Sequence, residues 1–283
     1  MQNKTLFPDF RYNPMQTFYG SQTPAALYAR SKWLHQEETS IWKNDFRETV
    51  NALFSGYGAN GSWNSSFLLT IHRLFALHLT MRQKDERIEK GIEWLLSQDV
   101  MVKNKTISYQ KSEKVFARDL QGLPFSGGCF EHFAKGAVLF LATIFGRAND
   151  PRVIRVYEMF GIMGEKKEGK WCNWSCSNNI LRAFVVHPRY AQNRALRLYV
   201  AKLSEIQRQD GSWPEKIPLY QTVNALAHLE LAQSDTMLKR ACRIVRDKQN
   251  KDGTWGRKQK EWNTFLIVHA MKRKGHLFSS EHV

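Results

Sequence analysis

The chain has 283 residues, 42% hydrophobic, 12% aromatic and 24% charged, a globular balance that excludes disorder, a collagen repeat and a disulfide-stapled miniprotein. Its 42 Lys and Arg against 26 Asp and Glu leave a net charge of +16. Such an excess points to an anionic partner, whether nucleic acid, an acidic membrane face or a phosphorylated substrate, without choosing among them. No run of about 18 apolar residues would span a bilayer. The opening residues Met1 to Asp9 lack the basic-then-apolar layout of a secretory leader. The expected location is therefore the cytoplasm, with peripheral contact at a membrane left open, and Cys129, Cys172, Cys176 and Cys242 are expected as thiols.

In chain order, helical spacing of apolar residues predicts a pair of helices over 23–35 and 40–54, and a third over 67–79 that is apolar nearly all round and hence buried on most sides. Residues 189–207 and 236–249 are charged helices: Arg194, Arg197, Lys239, Arg243 and Arg246 need water. Between helices the chain repeats a Gly-x-large turn whose third residues are Trp63, Cys129, Trp171, Trp213 and Trp255. The last three intervals are 42 residues each and the first is 66, so one repeat carries a 24-residue insertion over 100–123. Apolar and charged helices alternating at constant period read as two concentric layers. The expected fold is all-α, an α/α toroid of about six helix pairs, with an N-terminal extension 1–20, one domain 21–276 and a tail 277–283.

Two turns carry more than packing. Gln207, Gly211 and Trp213, and again Gln249, Gly253 and Trp255, share the spacing Gln-x3-Gly-x-Trp. Arg240, Ala241, Ile244, Val245 and Gln249 extend the second copy, and Lys90, Gly91, Trp94 and Leu95 are a partial copy. The pattern over about 56–275 resembles the Gln-Trp repeats of squalene–hopene cyclases and related terpenoid cyclases, a fold shared with protein prenyltransferase β subunits. That resemblance implies an apolar, isoprenoid or lipid ligand in a central cavity. The sequence departs from those families at their chemistry: it has neither the Asp-x-Asp-Asp acid of the cyclases nor the Asp-x-Cys and His zinc motif of the prenyltransferases, nor an Asp-Asp-x-x-Asp magnesium cluster.

Aligning the inner helices by their turns places Thr70, Asn179, Thr222 and Thr264 near one level, with His72, Arg73, Arg182, Asn224 and His269 close by. Local back-bonding of Thr and Asn to their own helices is the competing reading. Arg73 and Arg182 hold the same offset in otherwise apolar helices, where a guanidinium needs an anion such as a ligand carboxylate or diphosphate. His72 and His132 are the candidate proton carriers. Cys129, His132, Cys172 and Cys176 form a candidate zinc set of three thiolates and one imidazole, against buried inert thiols as the alternative. The insertion, with Lys103, Lys105, Lys111, Lys114 and Arg118, reads as a solvated loop or a cavity lid.

Two functional classes follow. One is a terpenoid-cyclase-like protein that binds an apolar isoprenoid or lipid ligand, with cyclisation or transfer by a non-standard acid left open. The other is a noncatalytic interaction module that uses basic outer helices to dock an acidic partner or an anionic membrane surface. Nucleic acid is disfavoured, because only the net charge supports it.

Overall fold

The computed structural model of the chain describes residues 10–81, 84–102 and 129–274. Most of the insertion and the whole C-terminal tail lie outside them. Among the described residues the regular structure is helical, with two isolated bridges, Tyr57 to Trp63 and Gln249 to Trp255. No described helix is long and apolar enough to cross a membrane. The chain packs as two compact units, Gln22–Tyr199 and a second made of residues up to Ser21 together with Val200 onward.

In the unit Gln22–Tyr199, helix α1 (Pro24–Lys32) starts behind Thr23, whose hydroxyl accepts from the Ala26 N–H at 3.2 Å, with proline at the first helical position. It ends before His35, which adopts φ +52°, so it is shorter than the expected 23–35. Helix α2 (Ser40–Phe54) is capped by Thr39 and α3 (Phe67–Thr80) by Ser66. Then come α4 (Glu86–Ser97), the single turn α5 (Asp99–Val102), α6 (Phe130–Ala142), α7 (Pro151–Lys166), α8 (Trp174–Phe184) and α9 (Arg194–Glu205), which carries the chain into the second unit. Helix α6 widens into a π-type turn, Thr143–Arg147, that closes on Gly146 at φ +85°.

The apolar helices neighbour one another, α1 against α3, α3 against α6 and α6 against α8, while α2 and α4 flank α3, and α4 and α7 flank α6. Helix α8 is buried continuously from Cys176 to Phe184. Helix α7, in contrast, buries Val153, Val156, Tyr157 and Phe160 and leaves Arg155, Glu158 and Ile162 exposed. These are the inner and outer characters expected from composition.

The second unit contains α10 (Leu219–Leu226), α11 (Ala232–Asp247) and α12 (Lys260–Lys274), with α10 packed on both others and the 3-10 turn Pro14–Phe18 packed on α12. Helix α11 begins four residues before the expected 236, because the Thr236 hydroxyl back-bonds to the Ala232 carbonyl at 3.0 Å and lies inside the helix instead of capping it.

One hydrogen-bonded device recurs at the turns. The indole Nε1 of Trp63, Trp171, Trp213 and Trp255 donates to the carbonyl of Leu53 (2.7 Å), Phe160 (2.6 Å), Leu203 (2.9 Å) and Val245 (2.7 Å), tying each turn to the preceding outer helix. The backbone N–H of Trp63, Trp171 and Trp255 donates to the hydroxyl of Thr70 (3.1 Å), Ser177 (3.2 Å) and Thr264 (3.3 Å) on the following inner helix. Gln207 Nε2 reaches the Gly211 carbonyl of its own turn at 3.0 Å and the Met237 carbonyl of α11 at 2.9 Å. Gln249 Nε2 does the same with Gly253 (3.1 Å) and Tyr12 (2.9 Å), so the N-terminal segment takes the place of a next helix.

Ser177 is the acceptor that sequence reading missed, since Thr70 and Thr264 are threonines and their α8 counterpart is not. Ser177→Ala removes the acceptor of the buried Trp171 N–H and should cost about 1–3 kcal/mol, read as a lower urea midpoint. Ser177→Thr should retain most of that stability.

Candidate metal centre and inner-helix residues

Helices α6 and α8 approach closely: a Cβ placed on Gly136 would lie 3.1 Å from the Asn179 carbonyl oxygen. Their N-terminal ends bring together the four predicted ligands. Cys129 is the residue before α6 and His132 sits in its first turn. Asn173 accepts from the Cys176 N–H at 2.9 Å and so fixes where α8 starts, with Cys172 just ahead and Cys176 one turn in.

The Cys129 N–H donates to Cys176 Sγ at 3.1 Å, the two Sγ atoms are 3.5 Å apart, and Cys129 Sγ lies 2.6 Å from His132 Nδ1. All four ligand atoms fall within 4.8 Å of one another. The cysteines are free thiols. At 3.5 Å the two sulfurs are well beyond the ~2.05 Å of a disulfide bond.

The electrostatics of the cluster follow from burial. Cys176 is fully buried, which pushes its thiol up to about 12; the backbone N–H groups of Cys129 and Asn173 oppose that shift, while the Cys129 thiol adds to it. Burial also lowers the His132 imidazole below its usual value; Glu131 opposes that shift, while Lys135 and Lys167 add to it. The His132 ring stacks on Phe160 at 5.6 Å, and its buried Nε2 has no hydrogen-bond partner. Cys242 lies buried on α11 in the other unit and is not part of the cluster.

The remaining predicted residues divide by unit. Thr70 and Thr264 are fully buried, and their hydroxyls donate back to Ser66 and Lys260 carbonyls, each at 2.7 Å, while accepting from the turn tryptophans. This is the local back-bonding geometry. Asn179 and Thr222 are fully buried on α8 and α10.

In the second unit Asn224 Nδ2 donates to the Leu266 carbonyl at 3.0 Å and approaches His269 Nδ1 at 3.3 Å, and the His269 ring stacks on His228 at 5.2 Å. In the first, Arg182 is buried on α8, which lowers its guanidinium to about 9, and Arg73 on α3 is half-buried with its Nε lacking a hydrogen-bond partner. Burial, and then Arg73, lower the neighbouring His72.

Two further features emerge only from the packing. Lys135, in the middle of α6, is 1% exposed and pairs with Glu131 at 2.6 Å. A cavity of about 290 Å³ opens between α1, α2 and the end of α3, lined by Leu27, Tyr28, Trp42, Phe46, Leu79 and Met81 with the hydroxyls of Ser31 and Thr80. Trp42 stacks on Phe46 at 5.0 Å, and Thr80 bonds to the Ala76 and Leu77 carbonyls of its own helix. Among the described residues, no charged side chain lines the cavity.

Known structures give the context. A protein from Actinoplanes superposes with a TM-score of 0.55 at 16% identity, over 93% of this chain and 90% of that one. The type II terpene cyclase MstE from Scytonema, as a single-residue variant in complex with its product merosterolic acid A, gives 0.57 at 11% identity over 90% and 87%. Its apo form gives 0.55 at 12% over 96% and 91%. These likenesses show the fold: all-α, of the α/α toroid class. No protein-family profile matches the chain, and no curated protein matches it in sequence.

Proposed function

We propose that this protein binds an apolar, isoprenoid or lipid ligand. The observation that carries the reading is the cavity lined by Leu27, Tyr28, Trp42, Phe46, Leu79 and Met81, whose described lining offers aromatic and aliphatic walls and no charge. Such a lining selects an apolar guest, because a charged one would lose its hydration without gaining a partner. A type II terpene cyclase of the same fold class, solved with its product merosterolic acid A, supports the chemical class of guest.

Binding is the activity proposed. Burial, and then Arg73, disfavour the protonated form of the His72 imidazole, which does not suit it to protonating an alkene. That is the step for which cyclases of this fold use an acid missing from this sequence.

Titration of the protein with farnesol, followed by tryptophan fluorescence and by native mass spectrometry of the complex, tests the reading. One equivalent should bind, and Trp42→Ala should weaken binding by roughly 5- to 30-fold, the scale of one lost aromatic contact of roughly 1–2 kcal/mol. A spectrum unchanged by farnesol, with no lipid extracted from the protein as purified, would refute it.

A further inference from the structure

We propose that Cys129, His132, Cys172 and Cys176 bind one Zn²⁺, which fastens the start of α6 to the start of α8. The donor set is the first ground. Three thiolates and an imidazole are soft to borderline ligands that favour zinc over magnesium or calcium, and with four protein ligands they make a closed, structural shell.

Geometry is the second. A tetrahedral zinc with bonds of about 2.0–2.3 Å has ligand edges of roughly 3.3–3.8 Å. The 3.5 Å between Cys129 and Cys176 sulfurs already has that length. The 2.6 Å between Cys129 Sγ and His132 Nδ1 needs only a side-chain rotation to open, and all four atoms start within 4.8 Å.

The repeat supplies an internal control. The other turns build the junction with no cysteine: Cys176 stands just before Ser177, which accepts from the Trp171 N–H, and the residues just before the corresponding acceptors Thr70 and Thr264 are Leu69 and Asn263, while Cys129 itself replaces the turn tryptophan. Packing therefore does not require these residues. Four metal-ligating side chains contributed by two adjacent turns, the group found among the described residues, are what a cross-link between those turns would need. Cys172 is exposed and Cys176 fully buried, so the metal would sit between solvent and core at the helix junction. The ends of α6 and α8, drawn together by a Zn²⁺ instead of a covered indole, would be held against fraying.

The proposal stands apart from ligand binding, since metal content is read without any lipid. Metal analysis and native mass spectrometry of the whole chain, purified under reducing conditions, should give one zinc per chain. Chelation should lower the melting temperature and added Zn²⁺ restore it. Co²⁺ in the stripped protein should show intense thiolate charge-transfer absorption with tetrahedral d–d bands.

Cys176→Ser should weaken zinc binding by at least about 100-fold, more than is lost on removing an outer-shell partner, whereas Cys242→Ser should leave the stoichiometry at one. Should Cys176→Ser not fold, the Co²⁺ spectrum of the wild-type protein decides alone. A reduced wild-type chain that takes up no zinc, or a Co²⁺ spectrum without thiolate bands, overturns the proposal.

Discussion

Gly211→Ala is expected to destabilise the protein by roughly 3 kcal/mol, the upper range of backbone strain. Gly211 sits at φ +85°, where a side chain costs about 1 kcal/mol in conformation alone. The larger part is contact: a Cβ there would lie 2.0 Å from the Arg240 carbonyl oxygen of α11 and 2.6 Å from its carbon. Those atoms belong to helix backbone, so relief requires separating the turn from α11, which also breaks the Gln207 bond to the Met237 carbonyl. Gly20 provides the control in the same unit. It has φ +74° but nothing within 4 Å of its Cβ position, so Gly20→Ala should cost only about 1 kcal/mol. Thermal unfolding should separate the two, with a fall of roughly 6–12 °C against 2–4 °C for a chain of this size. Equal shifts would mean that φ alone, and not the close approach of α11, dictates glycine at the turn.

Asp45→Ala should cost about 3–5 kcal/mol, because it strands a buried guanidinium. Arg30 on α1 has a side chain 2% exposed and Asp45 on α2 one 11% exposed, with Arg30 NH1 donating to Asp45 Oδ2 at 2.7 Å. Gln22 Nε2 donates to the other carboxylate oxygen at 2.7 Å, and Arg30 Nε donates to Gln36 Oε1 at 3.0 Å, so both ions are further satisfied. Replacing the pair together, Arg30→Met with Asp45→Leu, should recover most of the loss, since the desolvation cost disappears along with the attraction.

The pH dependence has a definite sign. The Arg30 hydrogen bond, outweighing burial, holds the Asp45 carboxyl below its ordinary value. Its contribution is therefore complete above an unfolded value of about 3.9 and declines as pH falls through the lower folded value. The stability gap between wild type and Asp45→Ala should be widest near neutrality and shrink below about pH 4. A gap that is flat with pH would show that the carboxylate charge is not what α2 contributes.

How far the sequence could be read varies residue by residue. The turns were legible because Asp-Gly-x-Trp demands a left-handed glycine and a large buried ring, both local requirements. The cysteine cluster was legible because two ligand pairs one repeat apart must meet if neighbouring helices pack in register. Asp45 was not: it lies on a charged outer helix, and only the approach of α1 turns it into half of a buried ion pair. Ser177 was not, because a hydroxyl two residues from the Asn179 level looks like any helix serine until the Trp171 N–H is seen beside it.

By itself, the sequence determined the helical repeat, the alternation of apolar and charged helices and the positions of the turns. These are properties of spacing along one chain, set by helix periodicity and by backbone conformations that only glycine adopts readily. Tertiary structure alone decided which polar residues serve a fold contact and which are left for chemistry. It engages Thr70 and Thr264 in the turns, pairs Asn224 with Leu266 and His269, gathers three sulfurs and an imidazole between α6 and α8, and opens an uncharged cavity beside Trp42. The physical reason is that a hydrogen bond or a ligand sphere depends on distances of a few tenths of an ångström between segments far apart in sequence, and those distances exist only once the helices have packed.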